Sequence, residues 1–204
     1  MTLHEPWTPG APVAIETRRT LVRTLHHEDV TPTVERWLED PAIASNVWHP
    51  RAKGGDYFRG LIAACDQKTR FGFLIVHRAS QRAIGFVKLH VDPARRVQVP
   101  TSALGERAYW NYELGTEAVR GVQRFAFEHL PVDHIESRVY EENAAVRSRL
   151  ERFGYREVEP YFEVLPGGPR RRVHVFRISR EEWLARSPEI EARLGRLPDA
   201  PVGR

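Results

Sequence analysis

Apolar positions recur along the chain at two spacings, and the spacings divide it into helices and strands. Ala118, Val122, Phe125 and Ala126 fall at i, i+4, i+7 and i+8, one face of a helix. Val146, Leu150 and Phe153 repeat the pattern in a helix over Asn143–Phe153 that Gly154 stops. Asp56–Cys65 predicts another helix. A further one follows His26–Asp29, holds Val34, Trp37 and Leu38, and ends at Asp40–Pro41. Runs rich in β-formers predict strands over Glu16–Leu25, Phe71–His77, Ala83–Val91, Val97–Leu104, His134–Tyr140, Tyr155–Leu165 and Arg171–Ile178. Arg78–Arg82 and Pro166–Pro169 read as hairpin turns. Pro100 lies inside its strand and removes a ladder donor, which predicts a bulge or an edge there. Glu181–Leu194 reads as a terminal helix or two, and the last ten residues as frayed. Strands gather at both ends and alternate with helices in the middle. The expectation is an α+β fold, a mixed, mostly antiparallel sheet with helices on both faces.

Length and composition narrow this. The 204 residues fit an irregular arm over 1–14, one domain over 15–186, and a C-terminal helix and tail over 187–204. Residues 41% apolar and 28% charged suit a globular chain, and no run approaches the roughly 20 apolar residues that span a bilayer. The formal charge is +4, and basic runs such as Arg170–Arg172 are short and not interleaved with aromatics. Nucleic acid is therefore not expected as a partner, and a small polyanion suits the charge balance as well. The lone Cys65 lies in an apolar helical stretch, excludes an internal disulfide framework and reads as structural. The N-terminus is Pro-rich and lacks a basic-then-apolar signal pattern, and a cytoplasmic protein is expected.

The segment Tyr109–Ala118 carries the most chemistry. It reads as a strand end, a turn and the first turn of a helix, where free backbone N–H groups meet the positive end of the helix dipole. Such a start holds phosphate. Glu113 stands in it as an acid where a phosphate loop favours glycine.

The stretch Gly105-Glu106-Arg107-Ala108-Tyr109-Trp110-Asn111-Tyr112-Glu113-Leu114-Gly115-Thr116-Glu117-Ala118 resembles a motif of the GCN5-related N-acetyltransferases (GNAT), within them the RimJ/RimL-like branch that acetylates ribosomal-protein N-termini. Asn143-Ala144-Ala145 through Leu150-Glu151-Arg152-Phe153-Gly154-Tyr155, Ile84-Gly85-Phe86 and Arg180-Glu181-Glu182-Trp183 fit as well, and the likeness spans about residues 15–185. The resemblance implies the GNAT fold, in which acetyl-CoA, the expected co-substrate, lies between two splayed parallel strands, here Val97–Leu104 and His134–Tyr140. The pyrophosphate would rest on backbone amides of Asn111, Tyr112, Glu113, Leu114, Gly115 and Thr116. Asn143 would contact the pantetheine arm, and Arg147 a CoA phosphate, unless it simply faces water. No metal is implied. The amine acceptor, a peptide N-terminus or a small molecule, would enter from the opposite side, and the protein would be a monomer or homodimer.

Three positions depart from the family pattern. Asn111 and Glu113 replace loop glycines and Tyr112 a basic residue. A Glu113 carboxylate about 5 Å from a phosphate charge would cost roughly 3 kcal/mol at an effective dielectric near 20. The positions that carry a tyrosine or serine acid in the family, seven and three residues after the Asn, are Leu150 and Val146, and Ser148 falls on another side of the helix. Gln98-Val99-Pro100-Thr101-Ser102 offers no carboxylate base. The catalytic residues are therefore unassigned. Without a base, an α-amine of pKa near 8 is a better acceptor than a lysine near 10.4. The alternative is a catalytically impaired GNAT-fold protein that binds a metabolite or protein partner. Asn143 also suits a helix N-cap. His49 and His90 read as solvated or core-edge histidines, Arg170–Arg172 as a solvated hairpin, and Trp37, Trp48, Tyr57 and Phe58 as either a substrate slot or helix-on-sheet packing.

Overall fold

The computed structural model describes residues 7–44, 54–164 and 170–200. Its strands are β1 Ala14–Glu16, β2 Thr20–Thr24, β3 Arg70–His77, β4 Arg82–Asp92, β5 Val97–Leu104, β6 His134–Tyr140, β7 Arg156–Glu157, β8 Tyr161–Val164 and β9 Arg170–Ser179. Its helices are α1 Pro32–Arg36, α2 Pro41–Ala44, α3 Gly54–Ala64, α4 Leu114–His129, α5 Ala144–Arg152 and α6 Arg180–Gly195. All nine strands join one sheet, ordered β1-β2-β3-β4-β5-β6-β9-β7, with β8 also on β9. Among the described residues the one parallel pair is β5 with β6.

Local chemistry sets the helix ends. Thr31 caps α1 with Pro32 in its first turn, and Ser179 and Glu182 cap the start of α6 reciprocally. Two apolar layers then cover the sheet. On one face Ala118, Val122, Phe125 and Ala126 of α4 pack with Ile84, Val87, Leu89 and Val91 of β4. On the other, Trp37, Leu38, Ile43 and Phe58 pack with Leu74, Val76 and Phe86. Gly105 belongs to this second layer, because a Cβ there would stand 2.0 Å from the Trp37 ring. β3 and β4 are covered on both sides, hence their unbroken apolar runs.

Several expectations change. The strand over Glu16–Leu25 is a hairpin of β1 and β2, because the Thr17 hydroxyl closes a turn with Thr20 and also donates to Glu117, 2.6 Å away on α4. The N-terminal arm is anchored from Trp7, whose ring meets Phe125 edge-on at 5.1 Å. Such a ring buried against an aromatic partner contributes on the order of 2 kcal/mol. The C-terminal end is packed as far as it is described. Pro198 O accepts from Arg19, Asp199 Oδ1 lies 2.9 Å from His77 Nε2, and Ala200 is buried. α6 is one helix across residues 186 and 187. Of the bulge or edge expected at Pro100 the edge is found: β5 keeps register with β4 through Pro100 and has lost its neighbour on the other side. The hairpin tip over 166–169, Trp48 and His49 lie outside the described residues.

Candidate active site

β5 and β6 are paired only at Val97–His134 and Gln98–Ile135. Beyond these, β5 stays with β4 up to Leu104 and β6 stays with β9 up to Tyr140, so the two strands part. The gap opens into a cavity of about 650 Å³. Backbone edges that face it have no strand partner, and only water or a ligand with amide groups can satisfy them.

The wide end of the gap meets the start of α4. Residues Arg107–Tyr112 form a 3₁₀ turn, and Glu113 joins it to α4 at φ 58°, ψ 19°. This is the left-handed conformation that glycine adopts freely and that costs an ordinary residue about 1 kcal/mol. The chain keeps the backbone shape of a glycine loop and adds a carboxylate to it. Glu113 Oε2 accepts from the Thr116 hydroxyl at 2.6 Å, and its Oε1 lies 3.7 Å from Arg193 Nη1. Arg149 Nη1 donates to the same Thr116 hydroxyl at 3.3 Å. Burial pulls the Arg149 guanidinium below its ordinary pKa while Glu113 pulls it up. Arg193 Nη2 is buried with no hydrogen-bond partner. Deeper along α4, Arg120 is 6% exposed and lines the cavity. Its Nη2 donates to Ser187, its guanidinium lies 4.4 Å from the Trp183 ring centroid, and its Nε has no partner. A carboxylate thus sits at the positive end of α4 beside Arg149 and Arg193, surroundings that also suit a phosphate.

The expected binding residues divide. Asn111, Glu113, Gly115, Thr116 and Asn143 line the cavity. Gly115 sits tight on β5, since a Cβ there would come 3.3 Å from Leu104. Asn143 caps α5 by accepting from Val146 N at 3.3 Å. Leu114 is fully buried in the core layer under α4 and is not part of the cavity wall. Tyr112 packs against the core layer under α4. Arg147 turns back to the Glu141 carbonyl, 3.1 Å away, and is not part of the cavity wall. Arg149, and not Arg147, lines the cavity. At about 100° per residue Arg149 is nearer than Arg147 to the stripe of Val146, Leu150 and Phe153, a signal present in the sequence. Val146 and Leu150 do line the cavity, and Ser148 is exposed. Glu117 is structural: 7% exposed, it takes Arg19 Nε and Arg19 N, each at 2.7 Å.

The opposite face of the gap carries a second arginine cluster that sequence reasoning missed. Ile135 and Val139 belong to the layer under α4, so Glu136, Arg138 and Tyr140 point the other way. Glu136 is 3% exposed. Its Oε1 accepts from Arg138 Nη2 at 2.9 Å, and its Oε2 accepts from Arg95 and Arg177, each at 3.0 Å. Burial pushes its pKa up, but the bonds from Arg177 and Arg138 outweigh that and hold it below the ordinary 4.5. Charge alternating with Ile135 and Val139 in a central strand was the available signal, because a central strand facing core has no use for it. Farther out, the Tyr140 hydroxyl donates to Glu163, and burial with that neighbour pushes its pKa up to about 12. His90 is exposed, and burial raises the Cys65 thiol to about 11.

Comparison with known proteins gives the family to which this fold, with its parted parallel pair over a helix start, belongs. The profile of the acetyltransferase (GNAT) domain matches residues 19–156. The chain belongs to this family, and membership implies acetyl transfer from acetyl-CoA. No curated protein matches it in sequence. A GCN5-related N-acetyltransferase from Brucella melitensis superposes with a TM-score of 0.74 at 21% identity, covering 92% of this chain and 89% of its own. A GNAT-family acetyltransferase from Bacillus anthracis does so at 0.69 and 16% identity, over 83% and 99%. RimL, a ribosomal L7/L12 α-N-protein acetyltransferase in complex with coenzyme A, does so at 0.70 and 10% identity, over 82% and 98%. These likenesses establish the fold. Among the described residues no helix is long and apolar enough to cross a membrane.

Proposed function

We propose that the chain is an acetyl-CoA-dependent N-acetyltransferase of the RimJ/RimL-like kind, acting in the cytoplasm on a protein N-terminus or small-molecule amine within a ternary complex. The observation that carries this reading is the parted pair β5 and β6, whose unpartnered edges lead to the start of α4. The residues present fit the co-substrate. Strand edges suit the amides of a pantetheine arm, and amides of 111–116 with Arg149 and Arg193 suit its phosphates. Glu113 holds that place in the free protein and must turn aside. The cost is bounded, because Arg149 and Arg193 lose one anion and gain another.

When bound, the thioester supplies an activated acetyl group: a C–N bond replaces a C–S bond, the sulfur leaves with its electron pair, and the proton lost by the amine restores the thiol. The chain's own part is positioning and exclusion. Val146 and Leu150 present an aliphatic wall and no acid, so water delivers the proton to sulfur. Gln98 lies where a base would help, is fully buried, and is bonded through Nε2 to the Gln123 carbonyl. Glu136 is held ionised by three arginines and is a weak base. Such a site favours an amine that needs little deprotonation, hence an α-amine over a lysine.

The test is thermal unfolding with acetyl-CoA and with CoA. Ligand at a hundred times its dissociation constant adds about 2.7 kcal/mol, a shift of roughly 5–10 °C in a chain of this size. Absence of any shift removes the reading. A second reading, a binding protein without turnover, is favoured by Val146 and Leu150 standing where an acid would. It predicts the same shift with no acetylation of any amine.

A further inference from the structure

Resting on that reading, we infer that the acceptor amine carries a carboxylate close to its nitrogen, and that Arg138 receives it. With phosphates at the wide end of the gap, the far end of the pantetheine arm points toward the closed end, where β5 and β6 pair. Glu136 follows the last paired residue of β6, and Arg138 stands two residues on, on the same outward face. That face is where an amine would approach.

Its charges do not balance. On β4, Phe86 belongs to the outward layer, so Lys88 and Asp92 share that side by alternation. Lys88 is in register with Thr101, which lines the cavity, and has no carboxylate partner among the described residues. Burial lowers its pKa. Arg95, Arg138 and Arg177 therefore meet Glu136, three cations against one anion, with Asp92 held to the Arg95 backbone N–H and Lys88 standing over the Tyr57 ring at 5.5 Å on the same side. Both Glu136 oxygens are taken by guanidinium groups and neutralise nothing further. Of the three arginines on Glu136, only Arg138 lines the cavity. It binds Glu136 through Nε and Nη2 and is also hydrogen-bonded to the Tyr161 side chain, so a ligand carboxylate would share this guanidinium with them. Glu163 farther out is engaged by Tyr140 and is in register with Arg171. Partly buried cations in excess at the mouth of a cleft favour an anionic ligand, and a guanidinium suits a carboxylate.

The experiment measures kcat/KM with acetyl-CoA for peptide amides starting Ser-Asp and Ser-Asn, and for serine against serinamide. The first pair places the carboxylate on a side chain and the second on the amino acid itself, so the pair that discriminates identifies which source the site takes. The expected result is at least a tenfold preference for the acid in one pair. In Arg138→Gln, KM for the acid rises and the preference collapses, while the CoA-induced thermal shift persists as a check on folding. Arg96→Gln removes the same charge from an exposed pair with Asp133 and keeps the preference. Equal use of acid and amide in both pairs overturns the inference, as does equal loss of preference in the two variants. A CoA shift without preference removes this inference alone. No CoA shift and no turnover removes the parent reading and this one with it.

Discussion

Glu113 and Glu136 are both carboxylates among arginines, on opposite faces of one cleft, and they are held differently. Glu113 is one-quarter exposed at its side chain, bonded by one hydroxyl and paired with Arg193 at 3.7 Å. Glu136 is nearly sealed and takes three guanidinium groups. The first occupies a place suited to a ligand and can leave it. The second is a fixed counter-ion whose removal would leave three cations facing one another. Equal chemistry therefore has unequal roles, and the difference lies in how many donors each oxygen has.

Breaking the fixed member has the largest effect. Glu136→Gln leaves the arginines uncompensated and is expected to cost about 2–3 kcal/mol in urea unfolding, below the range for sealed pairs because the arginines reach solvent. Breaking the movable member gives the opposite sign in a different measurement. Glu113→Gly relieves the left-handed strain, frees Arg149 and Arg193, and is expected to tighten CoA about tenfold by calorimetry with fold stability changed by less than about 1 kcal/mol. Weaker CoA binding in that variant would show that Glu113 assists the ligand.

Acidity sharpens the contrast. Glu136 has a folded pKa below 4.5, so its contribution is full above that value and fades as pH falls through the folded pKa. The stability gap between wild type and Glu136→Gln should be level from pH 7 to about 5 and shrink below about 4.5. A gap that widens on acidification would contradict this assignment. The smallest effect belongs to Arg147→Gln, which loses a surface contact with Glu141 O and should change CoA affinity by less than about twofold, whereas Arg149→Gln should weaken it about tenfold.

The apolar stripe of α4, the strand His134–Tyr140 and the cap at Asn143 were legible because each is fixed by neighbours three or four residues away or by alternation. The loop at Asn111–Thr116 was legible as a helix start, and Glu113 as its unusual residue. What the carboxylate does was not, because Thr116 is local but Arg193 is 80 positions on, in a helix whose docking no local pattern encodes. The break at Thr17–Arg19 was hidden similarly: it has no glycine or proline, and Glu117 on α4 completes it. The packed tail depends on His77 meeting Asp199, a pairing across 122 positions. The Glu136 cluster draws on three separate segments, so its charge pattern was visible and its partners were not.

The left-handed joint at Glu113 has a kinetic consequence. Because the backbone there already has the shape a glycine loop would take, exchanging the carboxylate for a phosphate requires only side-chain rotation, a matter of picoseconds to nanoseconds at a partly exposed position. On the proposed reading, association of the co-substrate is then expected to be free of loop rearrangement, with a rate that Glu113→Gly leaves nearly unchanged. The competition from Glu113 then shows itself mainly in how soon the bound molecule leaves.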